Sequence, residues 1–168
     1  MKVLALDASS TITGWSVFED GKYIKSGYID LKKDKNSEHR LYEMASKIAD
    51  LISYFKPHKI ILEDTYSSPN VSTLKTLANL AGAIKFYCYL HEIEVEMIMP
   101  SVWRKYLKIQ EKGAKRNELK NKALNLVNEQ LGLLLEEDQA EAVCINLAVA
   151  VRDGLLKLKE KPDDEDIW

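Results

Sequence analysis

Apolar residues fall along the chain in runs and alternations that mark out strands and helices. Val3-Leu4-Ala5-Leu6 is a short unbroken apolar run, the pattern of a strand buried on both faces, and it stops at a carboxylate, Asp7. Trp15 and Val17, then Tyr23 and Ile24, predict two more strands. They are joined at Glu19-Asp20-Gly21-Lys22, where Asp-Gly signals a tight hairpin. Leu41, Met44, Ala45, Ile48, Leu51, Ile52 and Phe55 recur at helical spacing until Pro57 stops them. Lys59 to Leu62 predicts another buried strand, again ending in a carboxylate, Glu63. A long helix follows Pro69 and is apolar almost all round from Leu77 to Leu90. One face of it packs on a sheet; the other needs a second cover, for which a partner subunit is the expectation. Val95, Met97 and Met99 alternate as one face of a strand. A helix from about Arg116 to Gln130 and a last one over "LEEDQAEAVCINLAVAVRDGLLKL" complete the series.

The order is three strands, helix, strand, helix, strand, helix, helix. Hairpin-joined strands are antiparallel, and strands reached through a helix are parallel crossovers. The expectation is an α/β fold with a mixed five-stranded sheet, three antiparallel strands then parallel ones, flanked by helices on both faces. With 168 residues the chain can bury one real core. We expect one domain over 1–158 and an acidic tail over 159–168.

A net charge of −2 does not announce a nucleic-acid binder, but its distribution changes the picture. The stretch "WRKYLKIQEKGAKRNELKNK" carries Arg104, Lys105, Lys108, Lys112, Lys115, Arg116, Lys120 and Lys122 against Glu111 and Glu118 alone, while Asp163, Asp164, Glu165 and Asp166 crowd the tail. A basic stripe whose charge is cancelled elsewhere suits phosphate binding, though a solvated helix face has the same composition. The two cysteines, Cys88 and Cys144, lie in apolar helical stretches, the expected place of reduced core residues in a cytosolic protein. No stretch has the pattern of a signal peptide or a membrane span, so a cytoplasmic location is expected.

The candidate chemistry lies in the carboxylates. Two buried strands of one direction ending in Asp7 and Glu63 place both acids at the same sheet edge. Ala8, Ser9 and Ser10 after Asp7 are small enough to let a ligand near the backbone. The last helix adds Asp138 and Glu141, three apart and so on one face. Glu136 and Glu137 are better explained as acids that suit the helix N-terminus. Four converging carboxylates cannot all stay ionised without cations. Oxygen ligands without His or Cys suit Mg²⁺ or Mn²⁺, and two such ions about 4 Å apart suit phosphodiester hydrolysis.

At these residues the sequence resembles the RuvC-type Holliday junction resolvases of the RNase H-like (retroviral integrase) nuclease superfamily. The resemblance runs from Lys2 to about Ala150 and rests on three motifs in order: "LALDASSTITGW", "IILEDTY" and "DQAEAV". It implies an RNase H-like fold, a homodimer, two Mg²⁺ ions per site with Mn²⁺ able to substitute, and paired nicks at a four-way or branched DNA junction during recombination and repair. It implies Asp7, Glu63, Asp138 and Glu141 as catalytic metal ligands, and Tyr66 as the aromatic that stacks on bases at the opened crossover. Arg104 or Lys105, and Lys115 or Arg116, fall where the family has basic residues near the scissile phosphate. Gly82 matches a glycine of the family's long helix. A branch-migration helicase is compatible with this picture but is not legible in the residues. Two departures, Glu141 where Asp is commoner and a single glycine, Gly113, in "KIQEKGAKR", resemble phage-encoded and Gram-positive relatives.

Three other readings compete. The YqgF-type pre-ribosomal RNA nucleases share the fold and the first Asp, but "WRK" and "DQAEA" fit the resolvases better. A non-cutting binder of branched DNA would not need the full acid set. Actin-like ATPases open with a similar strand and Asp, but need two domains and glycine-rich phosphate loops, for which this chain has neither the length nor the glycines.

Overall fold

The computed structural model describes residues 1–64 and 70–160. Tyr66 and the acidic run from Asp163 to Asp166 lie outside the described residues. The elements are β1 (Lys2–Asp7), β2 (Ile12–Glu19), β3 (Lys22–Asp30), α1 (Ser37–Phe55), β4 (Lys59–Glu63), α2 (Val71–Leu90), β5 (Glu94–Ile98), α3 (Pro100–Tyr106), α4 (Arg116–Leu131) and α5 (Glu137–Arg152). They form one five-stranded sheet in the order β3-β2-β1-β4-β5, antiparallel across β3-β2-β1 and parallel across β1-β4-β5. This is the expected mixed sheet. The predicted hairpin closes with Asp20 at φ 49° and Gly21 at φ 77°, the left-handed pair that a two-residue turn between twisted strands requires.

The central strand β1 shows why its sequence is an unbroken apolar run. Val3 and Ala5 face one core layer with α3, α4 and α5, while Leu4 and Leu6 face the other with α1 and α2. Side chains alternate across a strand, so a strand covered on both sides favours apolar residues at successive positions. Cys88 and Cys144 are buried free thiols, and burial pushes Cys88 up to about 11 and Cys144 higher still, which leaves both unreactive.

Three boundaries differ from expectation. The strand through Val95 and Met97 ends at Ile98; Met99 is a half-exposed residue that leads into α3. The segment from Pro100 to Tyr106, given no element in the sequence, is a short helix opened by its proline, which costs no hydrogen bond at a helix start. The last helix stops at Arg152, because Gly154 turns the chain with φ 71°.

Helix α5 is the keystone of one layer, buried from Ala140 to Ala150. Its one neutral polar core residue is Asn146, whose Nδ2 donates to the Ser16 backbone oxygen at 3.0 Å and to Ser16 Oγ at 2.9 Å. Ser16 Oγ in turn donates to the Ala142 carbonyl at 2.7 Å. These bonds lock the helix in rotation and height over β2. Asn146→Ala strands the buried Ser16 groups without their donor. We expect it to lower unfolding free energy by about 1–3 kcal/mol in urea titrations, with the slope unchanged. Among the described residues no helix is long and apolar enough to cross a membrane.

Candidate functional site

Strand register brings the acids together. Leu6 of β1 pairs with Leu62 of the parallel strand β4, so Asp7 and Glu63 end neighbouring strands at one edge of the sheet. On its other side Asp7 pairs with Gly14 of β2. A Cβ at Gly14 would stand 1.8 Å from the carbonyl oxygen of Asp138 and 3.0 Å from the Gln139 nitrogen. The missing side chain lets the first turn of α5 lie directly on β2, and that contact sets Asp138 beside Asp7.

One carboxylate oxygen from each of Asp7, Asp138 and Glu141 lies within 4.8 Å of the others. Glu63 is not one of this trio but lines the same open cleft with all three. Its Oε2 accepts a hydrogen bond of 2.6 Å from Nε1 of Trp103, a fully buried residue of α3. The loop after Asp7 is held by its own side chains. Ser9 Oγ donates to the Ile12 carbonyl at 2.6 Å, and Thr13 Oγ1 donates to the Ser9 carbonyl at 2.8 Å. Ala8, Ser9 and Thr11 thus present a small, fixed rim to the cleft.

Like charges at this spacing resist ionisation. Burial, and then the carboxylates of Glu63, Glu141 and Asp138, hold Asp7 well above the usual range, against the opposing pull of Lys120. Burial raises Glu63 to about 7; the Trp103 bond opposes that rise, Glu141 adds to it, and Arg104 and Arg116 oppose it. The chain supplies partial compensation. Arg104 Nη2 donates to Glu141 Oε1 at 3.1 Å, its guanidinium 4.7 Å from the Trp103 ring centroid. Lys120 Nζ lies 2.9 Å from Glu137, 3.6 Å from Asp138 and 3.9 Å from Glu141. Burial works against the charge of Lys120, and these three carboxylates more than offset it, keeping its pKa above the ordinary lysine value. An all-oxygen set with surplus negative charge fits a hard divalent cation held by Asp7, Asp138 and Glu141, with Glu63 adjacent.

The basic residues divide. Arg104 and Arg116 line the cleft, whereas Lys105 and Lys115 are exposed and do not. Arg104 Nε is buried without a hydrogen-bond partner among the described residues. Two members of the site, Trp103 and Lys120, lie in the basic stretch but were not singled out as site residues by the sequence. Trp103 had no signal beyond being a large aromatic in a polar segment. Lys120 had one: it lies four residues after Arg116, on the same face of α4.

Comparison with known proteins identifies the family and the fold. The family model described as "Crossover junction endodeoxyribonuclease RuvC" matches residues 3–153. The curated RuvC of Brachyspira hyodysenteriae is 28% identical over 160 residues, covering 92% of this chain and 97% of that one. The RuvC of Neisseria meningitidis serogroup A is 24% identical over 171 residues, covering 96% and 92%. Among solved structures, Thermus thermophilus RuvC in complex with a Holliday junction substrate superposes with a TM-score of 0.71 at 16% identity, covering 95% of this chain and 99% of that one. Fowlpox virus resolvase with Holliday junction DNA superposes at 0.61 and 18%, covering 94% and 100%. These likenesses show the RNase H-like fold. With the family match running from the first strand to the end of α5, the chain belongs to the RuvC family of crossover junction endodeoxyribonucleases.

Proposed function

We propose that this protein resolves four-way and related branched DNA junctions in the cytoplasm, in recombination and repair, by hydrolysing phosphodiester bonds at the carboxylate cluster. The observation that carries this reading is the gathering of Asp7, Asp138 and Glu141 within 4.8 Å, with Glu63 lining the same cleft. Asp7, Asp138 and Glu141 would hold one divalent ion, and Asp7 with Glu63 a second; Mg²⁺ or Mn²⁺ there supplies an activated water and a stabilised leaving oxygen. The Trp103 N–H fixes the direction of Glu63. Arg104 and Arg116 offer donors to a backbone phosphate, and the exposed Lys105 and Lys115 extend the positive charge along the DNA. The test is a gel assay of labelled four-way junction, plain duplex and single-stranded RNA, each with and without Mg²⁺. Nicking of the junction that needs Mg²⁺ is expected. Intact junctions beside trimmed RNA would favour the pre-ribosomal RNA nuclease reading.

We propose further that the working form is a homodimer formed through α2. One face of that helix buries Leu80, Ile84 and Cys88 inside the protein. Asn79, Gly82, Ala83, Phe86, Tyr89 and Leu90 lie exposed on another, and nothing stands within 4 Å of the place a Gly82 Cβ would occupy. Phe86 is 64% and Tyr89 79% exposed, an aromatic surface around a glycine that allows close helix approach. Phe86→Glu places a charge in that contact. Light scattering at micromolar concentration should give twice the chain mass for the natural protein and one chain mass for the variant.

A further inference from the structure

Lys120 lies within ion-pair distance of two of the acids that the proposed ions would need, Asp138 and Glu141. It occupies the second turn of α4 with its side chain 11% exposed. Its ammonium lies 3.6 Å from Asp138 Oδ1 and 3.9 Å from Glu141 Oε2, while its nearest partner is Glu137 Oε2 at 2.9 Å. Arg104 grips the other oxygen of Glu141. Glu137 is a different kind of partner: its side chain is 54% exposed, and it is not one of the three acids gathered around Asp7. A flexible lysine stem can shift its ammonium toward Glu137 and away from the cluster without losing its ion pair.

We propose that Lys120 is the resident counter-ion of the carboxylate cluster: it holds Asp138 and Glu141 in place in the ion-free protein, competes with a divalent ion for their oxygens, and retreats to Glu137 when the ion binds. This rests on the divalent-ion reading of the site. Three carboxylates within 4.8 Å, Glu141 buried and Asp7 and Asp138 half-buried, repel one another unless a cation lies among them, so the lysine stabilises the ion-free site. A divalent ion on those oxygens would stand close to the ammonium and be repelled by it. One side chain thereby strengthens the ion-free fold and weakens ion affinity, two effects of opposite sign that a purely structural tie between α4 and α5 would not produce.

The test uses the full chain without DNA, titrated with Mn²⁺ in a calorimeter and melted with and without Mn²⁺. Lys120→Met keeps the stem and removes the charge. It should melt lower than the natural protein in chelator, yet bind Mn²⁺ about tenfold more tightly, so that Mn²⁺ raises its melting temperature by more. Glu137→Gln, at an exposed position, removes the retreat and should weaken Mn²⁺ binding several-fold with little change in the chelator melt. Unchanged or weaker Mn²⁺ binding by Lys120→Met overturns the counter-ion role while leaving the divalent-ion reading intact. A natural protein that binds no Mn²⁺, or binds it as well after Asp7→Asn, overturns both.

Discussion

Asp7→Asn should abolish junction cutting by orders of magnitude and leave junction binding in place. Asp7 is the one acid that the fold sets against all the others: it ends β1 between Glu63 on β4 and Asp138 across Gly14. Asparagine keeps its shape and removes the charge that both proposed ions would share. In the proposed reading, binding rests on cations that line the cleft, such as Arg104 and Arg116, which the change does not touch. Stability should move the other way. Burial and three neighbouring carboxylates push the Asp7 carboxyl well above its ordinary value, so at neutral pH its charge works against the folded state. Removing that charge should raise the melting temperature in chelator by roughly 2–4 °C for each kcal/mol of repulsion relieved. With Mg²⁺ present the order should reverse, because the variant has lost a ligand. A variant that cuts at near the natural rate would show that the chemistry lies elsewhere.

Gly14→Ala should be nearly as damaging, without touching a charged group. The added methyl would fall 1.8 Å from the Asp138 carbonyl oxygen, against the roughly 3.0 Å that real Cβ contacts keep. The obstacle is helix backbone, which cannot rotate away like a side chain. Either α5 lifts from β2 or the strand bends, and each moves Asp138 away from Asp7. Overpacking of this kind costs about 1–3 kcal/mol or more. Misplacement of a reacting group by about 1 Å can cost ~100-fold in rate. We expect cutting to fall at least ~100-fold, with a lowered melting temperature and junction binding retained. A fully active Gly14→Ala would mean that α5 does not dock on β2 as described.

Much of this was legible in the chain because the dominant signals are local. The apolar run at Val3 to Leu6 is a central strand since both its faces are covered, and the Asp20-Gly21 turn has the geometry its residues demand. The pairing of Asp7 with Glu63 followed from strand direction, and that of Asp138 with Glu141 from helical spacing. What escaped depends on how distant pieces dock. Gly14 belonged to a motif, but its reason is the closeness of a helix more than a hundred residues later in the chain. Trp103 reaches Glu63 only because α3 turns its indole under the sheet edge. The choice between Arg104 and Lys105, or Lys115 and Arg116, needed the orientation of α3 and α4, which neighbouring basic residues cannot disclose. Met99 continued an alternation whose strand Pro100 had already ended.

The claim that the carboxylate cluster cuts branched DNA is tested most directly by mapping the ends it leaves. A four-way junction labelled on each strand in turn, incubated with the protein and Mg²⁺, should yield nicks placed symmetrically on two opposing strands. A DNA ligase should reseal them, which requires a 5′-phosphate beside a 3′-hydroxyl, and Asp7→Asn should give none of them. Junctions left intact in Mg²⁺, or the same nicks from the Asp7→Asn protein, would contradict it.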